Sequence, residues 1–320
     1  VANQSNIIPI FFSVDDNYAP FLSVALSSMI QNASRAYAYR VTIMYENLKE
    51  KDRKNLTALA TENVQINLIS MENRLNGITD RMSNRLRADY FTLTIYFRLF
   101  IPIMFPEYDK AIYLDSDIVV PGDISELYQI SLGDKLIAAA PDYSIAGVPR
   151  LAKYVEKGVG VDIHKYVNSG VLLMNLKKLR QVQLERRFLE LLNTYHFDCL
   201  APDQDYLNAM CHGSIVYLPE DWDTMPTEGR KLIREPNLIH YNLFAKPWCY
   251  DNIQYEEYFW QYAKENAYLP QILDFKSRYG ENEKKADQEH MELLLSRGEE
   301  ISEAQQNFRT IFNMGKEKRL

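Results

Sequence analysis

The sequence is poor in the features that mark several large protein classes. It has three cysteines, Cys199, Cys211 and Cys249. An odd, sparse set makes no disulfide framework, so a reducing compartment is expected. None stands in a Cys-x-x-Cys pair, and neighbouring His196 and His212 do not repair that, which argues against a zinc site. The thiols read as packing residues. No run approaches the roughly 18 apolar residues of a membrane span. The first residues, VANQSN, show no charged-then-apolar leader and no Met; the chain reads as trimmed, and a cytoplasmic protein without a transmembrane segment is the expectation. The net charge is −7, whereas nucleic-acid binders more often carry a basic balance, so nucleic acid is not an expected partner. No glycine-rich loop follows the first apolar run, so neither a dinucleotide site nor a Walker-type ATP site is supported.

What is present fits a globular enzyme. Hydrophobic residues make up 47% and charged residues 25% of 320 residues, which allows a sizeable core in one large domain or one domain plus an appendage. IIPIFFSV (7–14) reads as a buried strand ending in the polar turn DDNYAP, whose Pro20 suits the first turn of a helix. Leu22, Ala25, Leu26, Met29 and Ile30 then repeat at helical spacing. VTIMY (41–45) and VQINLI (64–69) read as strands around a surface helix over 49–62. This strand–helix–strand alternation predicts a parallel α/β sheet. A helix is predicted over 88–103, strands at AIYLD (111–115), KLIAAAPD (135–142), NSGVLLMNL (168–176), SIVYLP (214–219) and LIHY (238–241), and helices around 185–196 and 203–211. From about residue 281 the chain is rich in charge, and Met291, Leu294, Leu295, Phe308 and Phe312 fit amphipathic helices. A helical appendage packed on the domain is the favoured reading. The alternative is a peripheral-membrane or oligomer contact, disfavoured because positive charge is confined to the last few residues.

Two carboxylates interrupt AIYLDSDIVV (111–120). In an extended segment Asp115 and Asp117 point to the same side, at the carboxyl end of a strand, where open α/β sheets bind ligands. Hard oxygen donors there suit Mg²⁺ or Mn²⁺ with substrate phosphate. A capping or turn pair is the plainer alternative, although charges inside so apolar a run are costly unless paired. Asp15, Asp16 and Asn17 follow the first strand; they read either as helix caps or as contacts to a base and ribose. Asp203, Gln204 and Asp205 sit at a predicted helix start, where capping explains one polar group and not three. His240 stands alone after an apolar run, and Lys246 follows as a phosphate-type cation or an ordinary surface lysine.

Taken in order, SVDDNYAPFLSVALSSM, IYFRLFIP, YLDSDIVV, NSGVLLMNLKKLR, DQDYLN and HYNLFAKPW resemble the family 8 retaining glycosyltransferases, from about residue 7 to residue 250. The resemblance implies a GT-A fold, an α/β nucleotide-diphospho-sugar transferase domain over 1–280, with 281–320 left as a C-terminal helical extension. It implies Mn²⁺, with Mg²⁺ as the alternative, held by Asp115, Asp117 and His240; Mn²⁺ accepts imidazole beside carboxylates, which Mg²⁺ rarely does. It implies a UDP-hexose donor, UDP-glucose or UDP-galactose, and a glycan or glycoprotein acceptor. Ser13, Val14, Asp15 and Asn17 would hold uracil and ribose, and Lys246 the diphosphate. Arg98 would reach donor sugar and phosphates, and Asn168 and Asp203 would bind donor hydroxyls. Ser116 and Ser169 complete the donor-binding set.

Gln204 matches the position beneath the anomeric carbon. A double displacement needs a carboxylate nucleophile, and an amide is a poor one. Front-face transfer is therefore expected, with Gln204 stabilising positive charge and the UDP phosphate taking the acceptor's proton. Asp142 is a candidate acceptor contact and the alternative nucleophile, with Asp203 the other carboxylate at the site. Residues 143–166 and 221–236 are expected to shape the acceptor site. Two departures stand out: Leu243 where the family often has Gly beside phosphate, and Ser169 where Ala is frequent. The rival readings are a non-catalytic sugar-nucleotide or glycan-binding protein and a sugar-1-phosphate nucleotidyltransferase; the latter would need a glycine-rich loop that SVDDNYAP lacks.

Overall fold

The computed structural model describes residues 6–72 and 93–320. Its strands are β1 (Ile7–Val14), β2 (Ala38–Tyr45), β3 (Val64–Ser70), β4 (Ala111–Leu114), β5 (Ile118–Val119), β6 (Ile137–Ala139), β7 (Val171–Met174), β8 (Ile215–Tyr217) and β9 (Ile239–His240). Two compact units share the chain. One is built from Val1–Glu72, Ala111–Ser131 and Pro219–Lys285, the other from Asn73–Lys110, Leu132–Leu218 and Ala286–Leu320.

In the first unit four strands run parallel in the order β3-β2-β1-β4. Ile8, Ile10, Phe11, Phe12 and Val14 are all buried, the near-continuous apolar pattern of a parallel strand covered on both faces. The helix Ala19–Asn32 follows, with Pro20 in its first turn and Phe21, Leu22, Val24, Ala25, Leu26 and Met29 buried. β2 begins three residues before VTIMY because Ala38–Arg40 pair with Ile7–Pro9. The predicted helix over 49–62 is shorter, Glu50–Thr57. Beyond it Thr61 and Val64 exchange backbone hydrogen bonds in the turn that feeds β3.

Two further features of this unit position the site. β1 and β4 pair through Phe12 and Leu114, so the loops leaving both strands emerge at one edge. β5 and β9 form an antiparallel ladder with Ile118 opposite His240. Gly122 N–H also donates to the Asn237 carbonyl at 3.0 Å, and a Cβ at Gly122 would lie 2.5 Å from the Asn237 side-chain oxygen. Phe21 stacks on Trp248 at 4.2 Å in a core with Tyr241, Phe259, Tyr268 and Ile272. Such a ring pair contributes about 0.5–1.5 kcal/mol beyond its buried area.

In the second unit β6 lies between β7 and β8, antiparallel to β7 and parallel to β8, so the expected parallel sheet carries one antiparallel pair here. The predicted helix over 88–103 resolves into a 3₁₀ turn Leu93–Tyr96 and a helix Phe97–Met104; residues 88–92 lie outside the described residues. Helices Leu184–Tyr195 and Pro202–Cys211 form as the sequence predicts. Phe188, Phe197, Tyr206 and Phe308 pack edge and face around one another. The long helix Glu281–Glu303 does not bury a Met291/Leu294/Leu295 stripe, since those side chains are half-buried; its buried residues are Asp287, Gly298, Ile301 and Ser302. A Cβ on Gly298 would lie 3.1 Å from Leu200 and 3.3 Å from Tyr154, so the absent side chain lets the helix approach closely. Arg150 forks to Glu292 and Glu299, both at 2.8 Å. Phe308 and Phe312 are buried as expected.

The three cysteines are free and buried, and burial pushes the Cys211 thiol up to about 12. Among the described residues no helix is long and apolar enough to cross a membrane.

Candidate active site

The first unit gathers the predicted metal ligands. β4 ends at Leu114 and β5 begins at Ile118, so Asp115, Ser116 and Asp117 fill the gap between two buried strands. Ser116 Oγ donates to the Ser13 carbonyl at 2.7 Å, and Tyr113 Oη donates to Asp115 Oδ1 at 2.9 Å. β9 delivers His240, and Tyr241 N–H donates to the Asp117 carbonyl at 2.9 Å. His240 Nε2 lies 3.2 Å from Asp117 Oδ1 and 3.9 Å from Asp115 Oδ2. One ligand atom from each of Asp115, Asp117 and His240 falls within 4.8 Å of the others. Two carboxylates and an imidazole make a donor set that fits a divalent cation.

The far side of the imidazole is held as well. His240 Nδ1 lies 3.1 Å from Asp223 Oδ1, and Asp223 is fully buried. A carboxylate on the second ring nitrogen fixes the orientation and tautomer of a metal-binding histidine. Sequence reading missed Asp223: an aspartate in DWDTMP has no local pattern, and its meaning comes from Thr224, which pairs with the strand bearing His240.

Lys246 is 5% exposed, so it is no surface lysine. Its Nζ lies 2.5 Å from Asp117 Oδ2 and donates to the Tyr241 carbonyl at 2.7 Å. Burial pushes the Asp117 carboxyl up, but the Lys246 ammonium and the His240 ring outweigh it and hold it well below the usual carboxylate range. For His240, burial lowers the pKa, and Asp117 and Asp223 more than reverse that, raising it well above the ordinary imidazole value. The Lys246 ammonium also lies 5.8 Å from the Tyr18 ring centre and 5.5 Å from that of Trp248, within cation–π range.

Asp15 has a structural duty. Its Oδ1 accepts from Asn17 N–H at 2.9 Å and Tyr18 N–H at 3.0 Å, closing the turn into the first helix. Burial raises its carboxyl above the ordinary value against the pull of those two amides. Asp16 accepts from Lys49 N–H at 2.7 Å, and Asn17 is exposed. Ser13 Oγ and Tyr113 Oη lie 2.5 Å apart, and the Val14 side chain is buried, which leaves its backbone as the group able to meet a ligand. Leu243 has φ +55°. The chain therefore keeps the left-handed backbone that glycine would adopt freely, and its N–H donates to Asn242 Oδ1 at 2.9 Å.

The second unit gathers the other predicted residues into one buried polar network. Arg98, on Phe97–Met104, is buried rather than on a helix surface. Its Nη1 donates to the Ser169 carbonyl at 2.5 Å and to Ser169 Oγ at 3.1 Å, and its Nε lies 3.1 Å from Asp203 Oδ2. Ser169 Oγ donates to Asp203 Oδ2 at 2.9 Å. An alanine could make neither hydroxyl contact, so the Ser169 departure is not inert. Gln204 is gripped at both ends: Oε1 accepts from Ser169 N–H at 3.0 Å, and Nε2 donates to Asp142 Oδ2 at 2.9 Å. Asn168 Nδ2 donates to the same Asp142 oxygen at 2.9 Å. The other oxygen of Asp142 takes Ser144 Oγ at 2.5 Å.

Comparison with known proteins follows the same residues. Residues 9–252 match the family described as Glycosyl transferase family 8. The chain is 28% identical to a lipopolysaccharide 1,2-glucosyltransferase of Escherichia coli over 87% of this chain and 86% of that protein. It is 28% identical to a putative glycosyltransferase of Haemophilus influenzae over 73% of this chain and 68% of that one. Among solved structures it is similar to the galactosyltransferase LgtC in complex with donor and acceptor sugar analogs, at 26% identity and a TM-score of 0.69 over 84% of this chain and all of that one. The bifunctional glycosyltransferase WbbM gives a TM-score of 0.72 at 22% identity over 86% of this chain and 52% of that one, a likeness of fold alone.

Proposed function

The chain belongs to glycosyl transferase family 8, and from that premise we propose a Mn²⁺-dependent retaining transferase that moves glucose or galactose from a UDP-sugar to a glycan or glycoprotein acceptor. Its α/β fold is the GT-A fold with C-terminal helices. The observation that carries the proposal is the Asp115–Asp117–His240 cluster, within 4.8 Å, at the end of a parallel strand and backed by Asp223. We assign residues 1–280 to the transferase domain, 281–320 to a helical extension, and the protein to the cytoplasm.

Asp115, Asp117 and His240 would hold Mn²⁺, or Mg²⁺ with less favour for the imidazole. A cation bound there supplies neutralisation of the charge that grows on the UDP leaving group. Lys246 is assigned to the diphosphate: it already stands among anionic groups, 2.5 Å from Asp117, and exchanges one oxyanion partner for another at small displacement. Ser13, the Val14 backbone, Asp15, Asn17 and Ser116 are assigned to uracil and ribose. Arg98, Asn168, Ser169 and Asp203 are assigned to donor hydroxyls and phosphate.

Gln204 is assigned the reacting centre. Its amide is fixed by Ser169 N–H and Asp142. Its Oε1 accepts from Ser169 N–H at 3.0 Å and, at a long 3.4 Å, from Ser169 Oγ; the partial negative charge of this carbonyl oxygen is assigned to face positive charge at an anomeric carbon. The acceptor hydroxyl oxygen then bonds to that carbon on the face from which UDP departs, and its proton passes to the departing phosphate oxygen. Asp142 is assigned to the acceptor, with a nucleophilic role as the alternative.

The deciding experiment is hydrolysis of a panel of UDP-hexoses with Mn²⁺ or EDTA. Metal-dependent release of UDP from UDP-glucose or UDP-galactose is the expected result. Tight UDP binding without turnover of any sugar would instead favour a non-catalytic binding protein.

A further inference from the structure

Asn168 and Ser169 reach Asp142, Asp203 and Gln204 because residues 166–169 lie in one register along the helix Pro202–Cys211. Two side chains of that helix, one turn apart, fix the register. Asn208 Oδ1 accepts from Val167 N–H and its Nδ2 donates to the Val167 carbonyl, both at 2.8 Å. The same amide donates to the Gln204 carbonyl at 2.9 Å. Asp205, fully buried, accepts from the Tyr166 hydroxyl at 2.6 Å. The Tyr166 carbonyl in turn accepts from Asp142 N–H at 2.8 Å. A single tyrosine thus runs from Asp205 to the backbone that presents Asp142.

A second tyrosine provides an internal control. The other oxygen of Asp205 accepts from Tyr154 Oη at 2.6 Å and from Ala201 N–H at 3.0 Å. Tyr154 Oη also accepts from Leu200 N–H at 3.1 Å. This arm ends on the approach to the helix, not on the segment that bears Asn168 and Ser169. Burial, and then the Asp205 charge, push both phenols well above their ordinary value, so each remains a donor.

We propose that Tyr166 is a positioning residue of the transfer reaction: anchored on Asp205, it sets residues 166–169 so that Ser169 and Asp142 grip the two ends of the Gln204 amide. Its consequence for turnover rests on the transferase reading above; its consequence for the register does not.

The test compares Tyr166→Phe with Tyr154→Phe, each deleting one hydroxyl from the same carboxylate. In Tyr166→Phe, amide hydrogen exchange at Val167–Gly170 is expected to rise about tenfold, the loss of one buried hydrogen bond. In Tyr154→Phe exchange at those amides stays at the wild-type rate and rises at Leu200 and Ala201. For UDP-hexose hydrolysis without acceptor, which does not use the acceptor-shaping residues, Tyr166→Phe lowers kcat about tenfold with KM nearly unchanged, and Tyr154→Phe leaves kcat alone. Asn208→Ala is the second probe, expected to raise exchange at the same amides and to lower kcat. A purely structural role moves both tyrosine variants alike, so equal exchange or equal kcat in the pair overturns the proposal, as does wild-type exchange at Val167–Gly170 in both Tyr166→Phe and Asn208→Ala. A wild-type protein that turns over no UDP-sugar refutes the transferase reading, and the exchange comparison still decides the positioning.

Discussion

The carboxylate of Asp223 stands 3.1 Å from His240 Nδ1, so that the opposite ring nitrogen faces Asp117 at 3.2 Å. This aims the imidazole before any cation arrives. Asp223→Asn is expected to weaken Mn²⁺ affinity about 10–100-fold, the usual cost of losing such a support, while leaving the circular dichroism spectrum unchanged. Electron paramagnetic resonance of free Mn²⁺ measures the affinity; a wild-type value would leave Asp223 as mere core packing.

Removal of a ligand should act on nucleotide binding as well. His240→Ala and Asp117→Ala are expected to abolish the Mn²⁺-dependent part of UDP binding in calorimetry with the fold intact. Unchanged UDP affinity in Mn²⁺ would refute the metal assignment.

Protonation and metal compete for His240. Its folded-state pKa is raised, so in EDTA its contribution to stability is complete below the ordinary imidazole value of about 6.5 and is lost as pH rises toward the folded value. Metal needs the neutral ring, so Mn²⁺ affinity should increase over the same window, with proton uptake by the buffer. Thermal melts in EDTA against pH, beside titrations in buffers of different ionisation enthalpy, check both signs. Stability in EDTA that climbs across this range would contradict the assignment.

Gln204→Ala should lower kcat by about 10²-fold, the scale of one lost electrostatic contact in a transition state, with a smaller change in donor KM. An effect confined to KM makes Gln204 a binding residue. Mass spectrometry of a covalent hexosyl adduct on Asp142 or Asp203 would sink the front-face mechanism.

Leu243 offers a backbone test. Leu→Gly on ordinary backbone costs stability, yet at φ +55° the left-handed penalty of about 1–2 kcal/mol is relieved. Leu243→Gly is therefore expected to be neutral or stabilising in urea unfolding, and a loss above about 1 kcal/mol would show that the leucine side chain matters more than the strain.

How much of this was legible varies by element. β1 and β4 could be read because an uninterrupted apolar run bounded by polar turns has few other meanings. β9 was legible within LIHY, but β5 was not, since two residues carry no period, and neither was the ladder between them that brings His240 to Asp117. The direction of β7 against β6 was equally invisible, because LIAAA and VLLM are buried on both faces whichever way they pair. Asp115 and Asp117 stood out as charges in a greasy strand, and the lone His240 became a ligand only through family resemblance. Asp223 was missed, and Ser169 was named without the partners of its hydroxyl, for one reason: each gains its role from a residue distant in the chain. In the C-terminal helix the large apolar residues drew the eye, while the close approach is made at Gly298, which a hydrophobic pattern counts as nothing.

The ladder between β5 and β9 also sets an order of events during synthesis. The aspartates emerge from the ribosome with β4, but the third ligand and its Asp223 support come much later, after the whole stretch Leu132–Leu218 of the second unit. Until then the edge of β5 waits for its partner, and the nascent protein carries a carboxylate pair without its histidine. Long-range pairing of this kind slows folding, and a chain arrested before residue 239 should hold its β1–β4 sheet and yet have no competent cation site.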